Sequence, residues 1–96
     1  MATEDQTLER TLEVLNYQGV HARPAALIVK VATQYKAELT VCRKDDEDEE
    51  VNAKSLMGLM MLAAGQGTEL LFRAKGEDAA ELLDALEALF KANFNE

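Results

Sequence analysis

The run Gly19-Val20-His21-Ala22-Arg23-Pro24-Ala25-Ala26 fixes where this chain changes from extended to helical backbone. Proline has no N–H and its ring clashes with a preceding helical turn, so Pro24 fits only in the first turn of a helix. The helix therefore opens at His21 or Ala22. Ala22, Ala25, Ala26, Val29 and Ala32 share overlapping helical faces, widened by Leu27, Ile28 and Val31, and the pattern carries the helix to about Tyr35. Upstream, Leu12, Val14 and Asn16 alternate with Thr11, Glu13 and Leu15, which predicts a strand from Leu8 to Tyr17 and a turn at Tyr17-Gln18-Gly19. The junction sets the chain's single histidine at the positive end of a helix dipole, with a guanidinium two residues on.

The rest of the chain divides into short elements. Ala37 to Arg43 reads as a strand, with Leu39 and Val41 alternating against Thr40 and Cys42. Asp45-Asp46-Glu47-Asp48-Glu49-Glu50 reads as a solvated hairpin tip, and Glu50 to Ala53 as the short returning strand. Ser55 is a good N-cap for a brief helix in which Leu56, Leu59, Met60 and Ala63 keep helical spacing, closed by Gly65-Gln66-Gly67. Thr68 to Ala74 is a fourth strand. Asp78 to Lys91 is the clearest helix, with Leu82, Leu83, Leu86, Leu89 and Phe90 on one face and Glu81, Asp84 and Glu87 on the other. The order strand-helix-strand-strand-helix-strand-helix predicts an α+β two-layer open-faced sandwich: a four-stranded, mostly antiparallel sheet with three helices on one face. Residues 1–96 form a single domain, and the polar residues 1–7 are expected to fray.

Composition limits the partners. No apolar run reaches the roughly 18 residues that a membrane span needs, and Met1-Ala2-Thr3-Glu4-Asp5 has neither the basic start nor the apolar stretch of a signal peptide. One cysteine, Cys42, permits no internal disulfide, and with these features it predicts a cytoplasmic location. Cys42 itself reads as a small strand residue. The net charge is −8, and six of the carboxylates stand in residues 45–50; elsewhere ten basic residues face twelve acidic ones. The acidity is thus local. It excludes nucleic acid as a partner, and the run lacks the spaced ligands and central glycine of a calcium loop. His21 has no Cys or carboxylate neighbours at ligand spacing, so neither a metal nor a cofactor is expected.

His21 on its own is compatible with plain packing at a strand–helix junction. Its surroundings favour chemistry. Free N–H groups at a helix start attract an anion, Arg23 can fork onto phosphate oxygens, and an imidazole near neutral pH is available as a nucleophile. Such a ring could carry a phosphoryl group.

Three segments carry a family resemblance. Gly-Val-His-Ala-Arg-Pro-Ala-Ala at 19–26 resembles the active-site signature of HPr, the histidine-containing phosphocarrier of the bacterial phosphoenolpyruvate-dependent phosphotransferase system. Lys54-Ser55-Leu56-Met57-Gly58-Leu59-Met60 is similar to that family's regulatory serine segment, and Gln66-Gly67-Thr68-Glu69-Leu70 to its helix-to-strand turn. The element order is also the family's, over roughly Leu12 to Phe90. The resemblance implies that His21 accepts a phosphoryl group on Nδ1 from Enzyme I and passes it to an EIIA-type protein in sugar uptake. It implies that Arg23 neutralises the phosphate and that the N–H groups of Ala22 and Arg23 cradle it. Such a protein is a carrier with a phosphohistidine intermediate, not a stand-alone catalyst. The resemblance further implies phosphorylation of Ser55 by an HPr kinase/phosphorylase and binding of that form to a transcriptional regulator. Leu56, Met57, Met60 and Met61 give the brief helix more apolar surface than one inward stripe needs; with Ala26 and Leu27 they form a candidate partner patch beside His21. Two alternatives stay open. One is a nitrogen-branch relative, which the tail Ala88–Phe94 and the acidic balance resemble. The other is a regulatory binding module acting only through phosphorylated Ser55, whose known form lacks the histidine.

Overall fold

A computed structural model describes residues 6–95. It contains β1 (Thr7–Glu13), α1 (Ala22–Ala32), β2 (Glu38–Arg43), β3 (Asp46–Asn52), α2 (Leu56–Met61), β4 (Glu69–Lys75), α3 (Ala79–Lys91) and a 3₁₀ turn at Asn93–Asn95. The strands form one sheet in the order β1-β4-β2-β3, with antiparallel neighbours throughout. This is the open-faced α+β architecture expected from the element order.

One face of the sheet is apolar and the helices cover it. Leu12 stands opposite Leu70, Val41 opposite Phe72, and Leu39 opposite Ala74. All are buried, together with Ala25, Ile28 and Ala32 of α1, Leu59 of α2, and Leu82, Leu83, Leu86 and Phe90 of α3. Phe90 meets Phe72 edge-on, with ring centroids 5.7 Å apart, and Phe94 at 4.8 Å. That geometry suits the opposed charge of ring edge and ring face. Arg10 stands opposite Phe72 on the same side of β1 and reaches outward to Asp84 (2.7 Å) and Glu87 (3.0 Å) of α3, tying the edge strand to the helix above it.

The other face carries charge. Arg73 on central β4 lies opposite Glu9 and bonds it at 2.8 Å, with Glu50 at 2.8 Å and Glu47 at 3.3 Å from the far edge. This cluster explains the main departure from expectation. The acidic run is not a hairpin tip: Asp46 to Glu50 lie within β3, and only Lys44 and Asp45 make the turn. An edge strand leaves its side chains in water, and here Arg73 screens two of the carboxylates while Arg43 binds Asp45 at 3.0 Å. Charges on an edge also oppose pairing with another chain's edge. Cys42 is fully buried beside its cross-strand neighbour Leu71, and that burial pushes the thiol's pKa up, away from the reactive thiolate.

The remaining corrections concern ends. β1 stops at Glu13 rather than Tyr17, because beyond it the backbone bonds to the loop before β4: Val14 N–H donates to Thr68 at 2.9 Å and Gly67 N–H to Val14 at 2.7 Å. The expected alternation continues without the ladder, with Val14 and Asn16 buried and Leu15 and Tyr17 exposed. α1 ends at Ala32 rather than Tyr35. The Asp78 carboxylate accepts the N–H groups of Lys36 (2.9 Å) and Ala37 (2.8 Å), drawing the chain out of helical backbone. α2 closes at Met61, before the glycines, where Ala63 takes a left-handed φ of 52°. Residues 1–5 of the expected frayed segment lie outside the described residues, while Thr7 pairs with Lys75 in the sheet.

Four carboxylates are held below their usual range by what they bind: Asp78 by the N–H groups of Lys36 and Ala37, Asp45 by Arg43, Glu50 by Arg73, and Glu87 by Lys91. A carboxylate with a depressed folded-state pKa stabilises the fold above its unfolded pKa and loses that contribution as pH falls through the folded value. The urea midpoint should therefore drop as pH falls from about 5 to 3. Asp78→Asn should lower it at pH 7 and flatten the acid limb. An acid limb identical to wild type in Asp78→Asn contradicts this assignment.

Candidate functional site

His21 is the N-cap of α1, with extended backbone (φ −87°, ψ −169°), and its ring does not cap its own helix. The residue is half-buried, Ala22 and Arg23 are exposed, and Pro24 and Ala25 are buried. The first helical hydrogen bond runs from Ala25 N–H to the His21 carbonyl at 3.0 Å. Pro24 has no N–H to offer. The donors that the helix itself leaves unused behind His21 are therefore those of Ala22 and Arg23, aligned with the positive end of an 11-residue helix. Pro24 thus does two things at once: it starts the helix and confines the free amides to the two positions next to the imidazole.

The loop leading to His21 is fastened from below. Gly19 has φ +71°, and a Cβ there would collide with the Ala64 carbonyl oxygen. Only glycine allows that approach. The approach lets Val20 N–H donate to Ala64 at 2.8 Å, while Gln66 Nε2 donates to the Leu15 carbonyl at 3.1 Å. Inside the loop, Asn16 Nδ2 donates to the Gly19 carbonyl at 2.6 Å, and His21 N–H donates to the same oxygen at 3.0 Å. Residues 14–21 are thus sewn onto the segment joining α2 to β4. The alternation set Asn16 on the side of Leu12 and Val14, where it is buried, but gave no sign of its bond within the loop.

Ser55 caps α2 as expected: its Oγ accepts the N–H of Gly58 at 3.1 Å. Beside it, Lys54 Nζ donates to the Tyr35 carbonyl at 2.8 Å, linking the start of α2 to the end of α1. The two helices pack side by side. Their unshared surface is apolar: Met57 is 71% and Met61 76% exposed, Leu56, Met60 and Ala26 are exposed, and Leu27 is half-buried. Leu59 and Leu62 point into the core.

A groove of 450 Å³ lies between the β2–β3 hairpin and α2, lined by Arg43, Asp45, Asp46, Glu49, Val51, Met61 and Leu62; His21 is not in its lining. Among the described residues no group of three or more His, Cys, Asp or Glu is placed to hold a metal ion, and no helix is long and apolar enough to cross a membrane.

Residues 8–92 match the family model described as the PTS HPr component phosphorylation site. The phosphocarrier protein HPr of Treponema pallidum is 46% identical over 87 residues, covering 91% of this chain and 96% of that protein. The phosphocarrier protein NPr of Shewanella violacea is 37% identical over 89 residues, covering 93% and 94% respectively. Among solved structures, HPr-C-His from Thermoanaerobacter tengcongensis superposes with a TM-score of 0.84 at 39% identity, covering 93% of this chain and 97% of that one.

Placing a side chain at Gly19 should disturb the loop and little else. Gly19→Ala is expected to cost at least about 1–3 kcal/mol through the left-handed backbone alone, read as a fall in the urea midpoint. Unchanged stability would mean that the close approach to Ala64 is not required.

Proposed function

The chain belongs to the HPr family of phosphotransferase-system phosphocarriers, and on that premise we propose that His21 is the residue that carries the phosphoryl group, accepting it from phospho-Enzyme I and delivering it to an EIIA-type protein in sugar uptake. The observation that carries this reading is the position of His21 as N-cap of α1, with the Ala22 and Arg23 N–H groups that the helix does not itself use directly behind it.

In the reaction, the Nδ1 lone pair of His21 attacks phosphorus while the bond to the donor's imidazole nitrogen breaks, and the donor ring leaves with that electron pair. The reverse geometry operates with the acceptor. Phosphoryl transfer asks mainly for positioning and charge stabilisation. The helix start supplies two backbone donors and a fixed dipole, and the exposed Arg23 folds over the phosphate oxygens. Each partner brings its own histidine, which accounts for a site with so few side chains.

The apolar surface of Ala26, Leu27, Leu56, Met57, Met60 and Met61 serves as the docking face for both Enzyme I and the acceptor. Methionine side chains adapt to differently shaped partners. Ser55 is the regulatory site, phosphorylated by an HPr kinase/phosphorylase and then read by a transcriptional regulator. A phosphate there adds about −1.5 to −2 charges. The start of α2 accommodates it locally, but it stands next to the docking face and opposes partner binding. The protein works in the cytoplasm, where these partners act. Similarity to an NPr keeps a nitrogen-branch carrier as the second reading; the same chemistry then feeds a different acceptor, and transfer rates to sugar-type and nitrogen-type EIIA proteins separate the two.

Incubation with Enzyme I and labelled phosphoenolpyruvate should put acid-labile label on the wild type and none on His21→Ala. Arg23→Ala should slow the transfer by about 10–100-fold, the equivalent of losing one charge-assisted hydrogen bond. No label on the wild type, or equal label on His21→Ala, contradicts the proposal. For the regulatory site, treatment with HPr kinase and ATP should label the wild type and not Ser55→Ala, and Ser55→Asp should slow transfer from Enzyme I; an unaltered rate would remove Ser55 as a switch.

A further inference from the structure

We infer that Asn16 is a positioning residue for phosphoryl transfer at His21, acting through the peptide plane between Gly19 and Val20; the inference rests on the carrier reading of His21. Asn16 is 1% exposed, and its Nδ2 donates to the Gly19 carbonyl at 2.6 Å. That carbonyl and the Val20 N–H belong to one rigid amide plane. The N–H end is held by Ala64 at 2.8 Å and the carbonyl end by Asn16. A plane gripped at both ends cannot rotate. The next residue is fixed in turn, because His21 N–H donates to the same Gly19 oxygen at 3.0 Å.

The amide group is suited to this place. The loop has no strand or helix ladder to hold the Gly19 carbonyl. Its backbone donor among the described residues is His21 N–H, two residues ahead in a tight three-residue turn. Asn16 adds a second donor from a buried side chain, and its own backbone carbonyl closes the loop by accepting Gly19 N–H at 3.1 Å. An aspartate of the same shape would present only acceptors to the Gly19 oxygen and repel it when ionised. Releasing the plane lets the backbone of His21 turn relative to the Ala22 and Arg23 amides. The ring nitrogen then spends less time in line for attack, while the surface that docks Enzyme I is untouched.

The test compares wild type with Asn16→Ala, Asn16→Asp and Asn16→Ser in transfer from phospho-Enzyme I, with folding checked by urea titration and amide exchange followed at Val20 and His21. Asn16→Ala and Asn16→Asp should lower kcat by about 10–100-fold, as expected for a small misplacement of the reacting atom, with KM for the carrier within about twofold of wild type. Their Val20 and His21 amides should exchange faster while those of Leu70 and Phe72 in β4 stay protected. Asn16→Ser keeps a donor and a fold, and should recover a large part of kcat. A merely structural Asn16 would lower the urea midpoint and leave kcat of the folded protein unchanged, which overturns the inference. So would a rise in KM with kcat intact. Absence of label on the wild type would overturn the carrier reading itself, and the inference with it.

Discussion

His21 owes its position to the hydrogen bonds that close the loop between β1 and α1 onto the segment before β4. An imidazole and an arginine at a helix start are common chemistry; holding them in a fixed relation to the first helical amides takes a rigid approach path. Val20 and Gln66 supply the bonds across, Asn16 the bond within, and Gly19 the close contact that lets the two segments meet. Remove that contact and α1 still forms, because its inward face is buried in the core. What is lost is the register between the ring and the helix dipole.

The rest of the molecule supports that junction. β4, the strand after the anchoring segment, is central in the sheet and pairs on both sides, so the anchor inherits the stiffness of the whole layer. The aromatic stack of Phe72, Phe90 and Phe94 fastens α3 beneath the same strand. One ion-pair cluster joins the opposite face to the β3 edge. Arg73 gathers Glu9, Glu47 and Glu50 there, on the sheet face turned away from the helices.

Much of this was legible in the sequence, for identifiable reasons. Pro24 and Gly19 punctuate the backbone so strongly that the helix start could be placed within a residue, and the helical spacing of Leu82, Leu83, Leu86 and Phe90 left one reading for α3. Ser55 announced its cap. The misreadings arose where tertiary contacts overrule local pattern. Six adjacent carboxylates look like a turn until Arg73 and Arg43, distant or hidden in the sequence, offset their repulsion along an edge strand. Tyr35 looked helical because Asp78, more than forty residues away, is what captures the backbone at Lys36 and Ala37. Asn16 looked like an imperfect strand residue because its partner is a carbonyl of its own loop, and no periodicity reports that.

Where the phosphorus goes, and which groups surround it there, is directly measurable. Phosphorus and nitrogen NMR of uniformly ¹⁵N-labelled protein, after treatment with Enzyme I and phosphoenolpyruvate, reads both at once. The predicted result is a phosphorus signal coupled to the Nδ1 nitrogen of His21, accompanied by downfield movement of the Ala22 and Arg23 amide protons as they bind the new oxygens. A phosphorus signal on oxygen, or on the ring with those two amides unmoved, would contradict it.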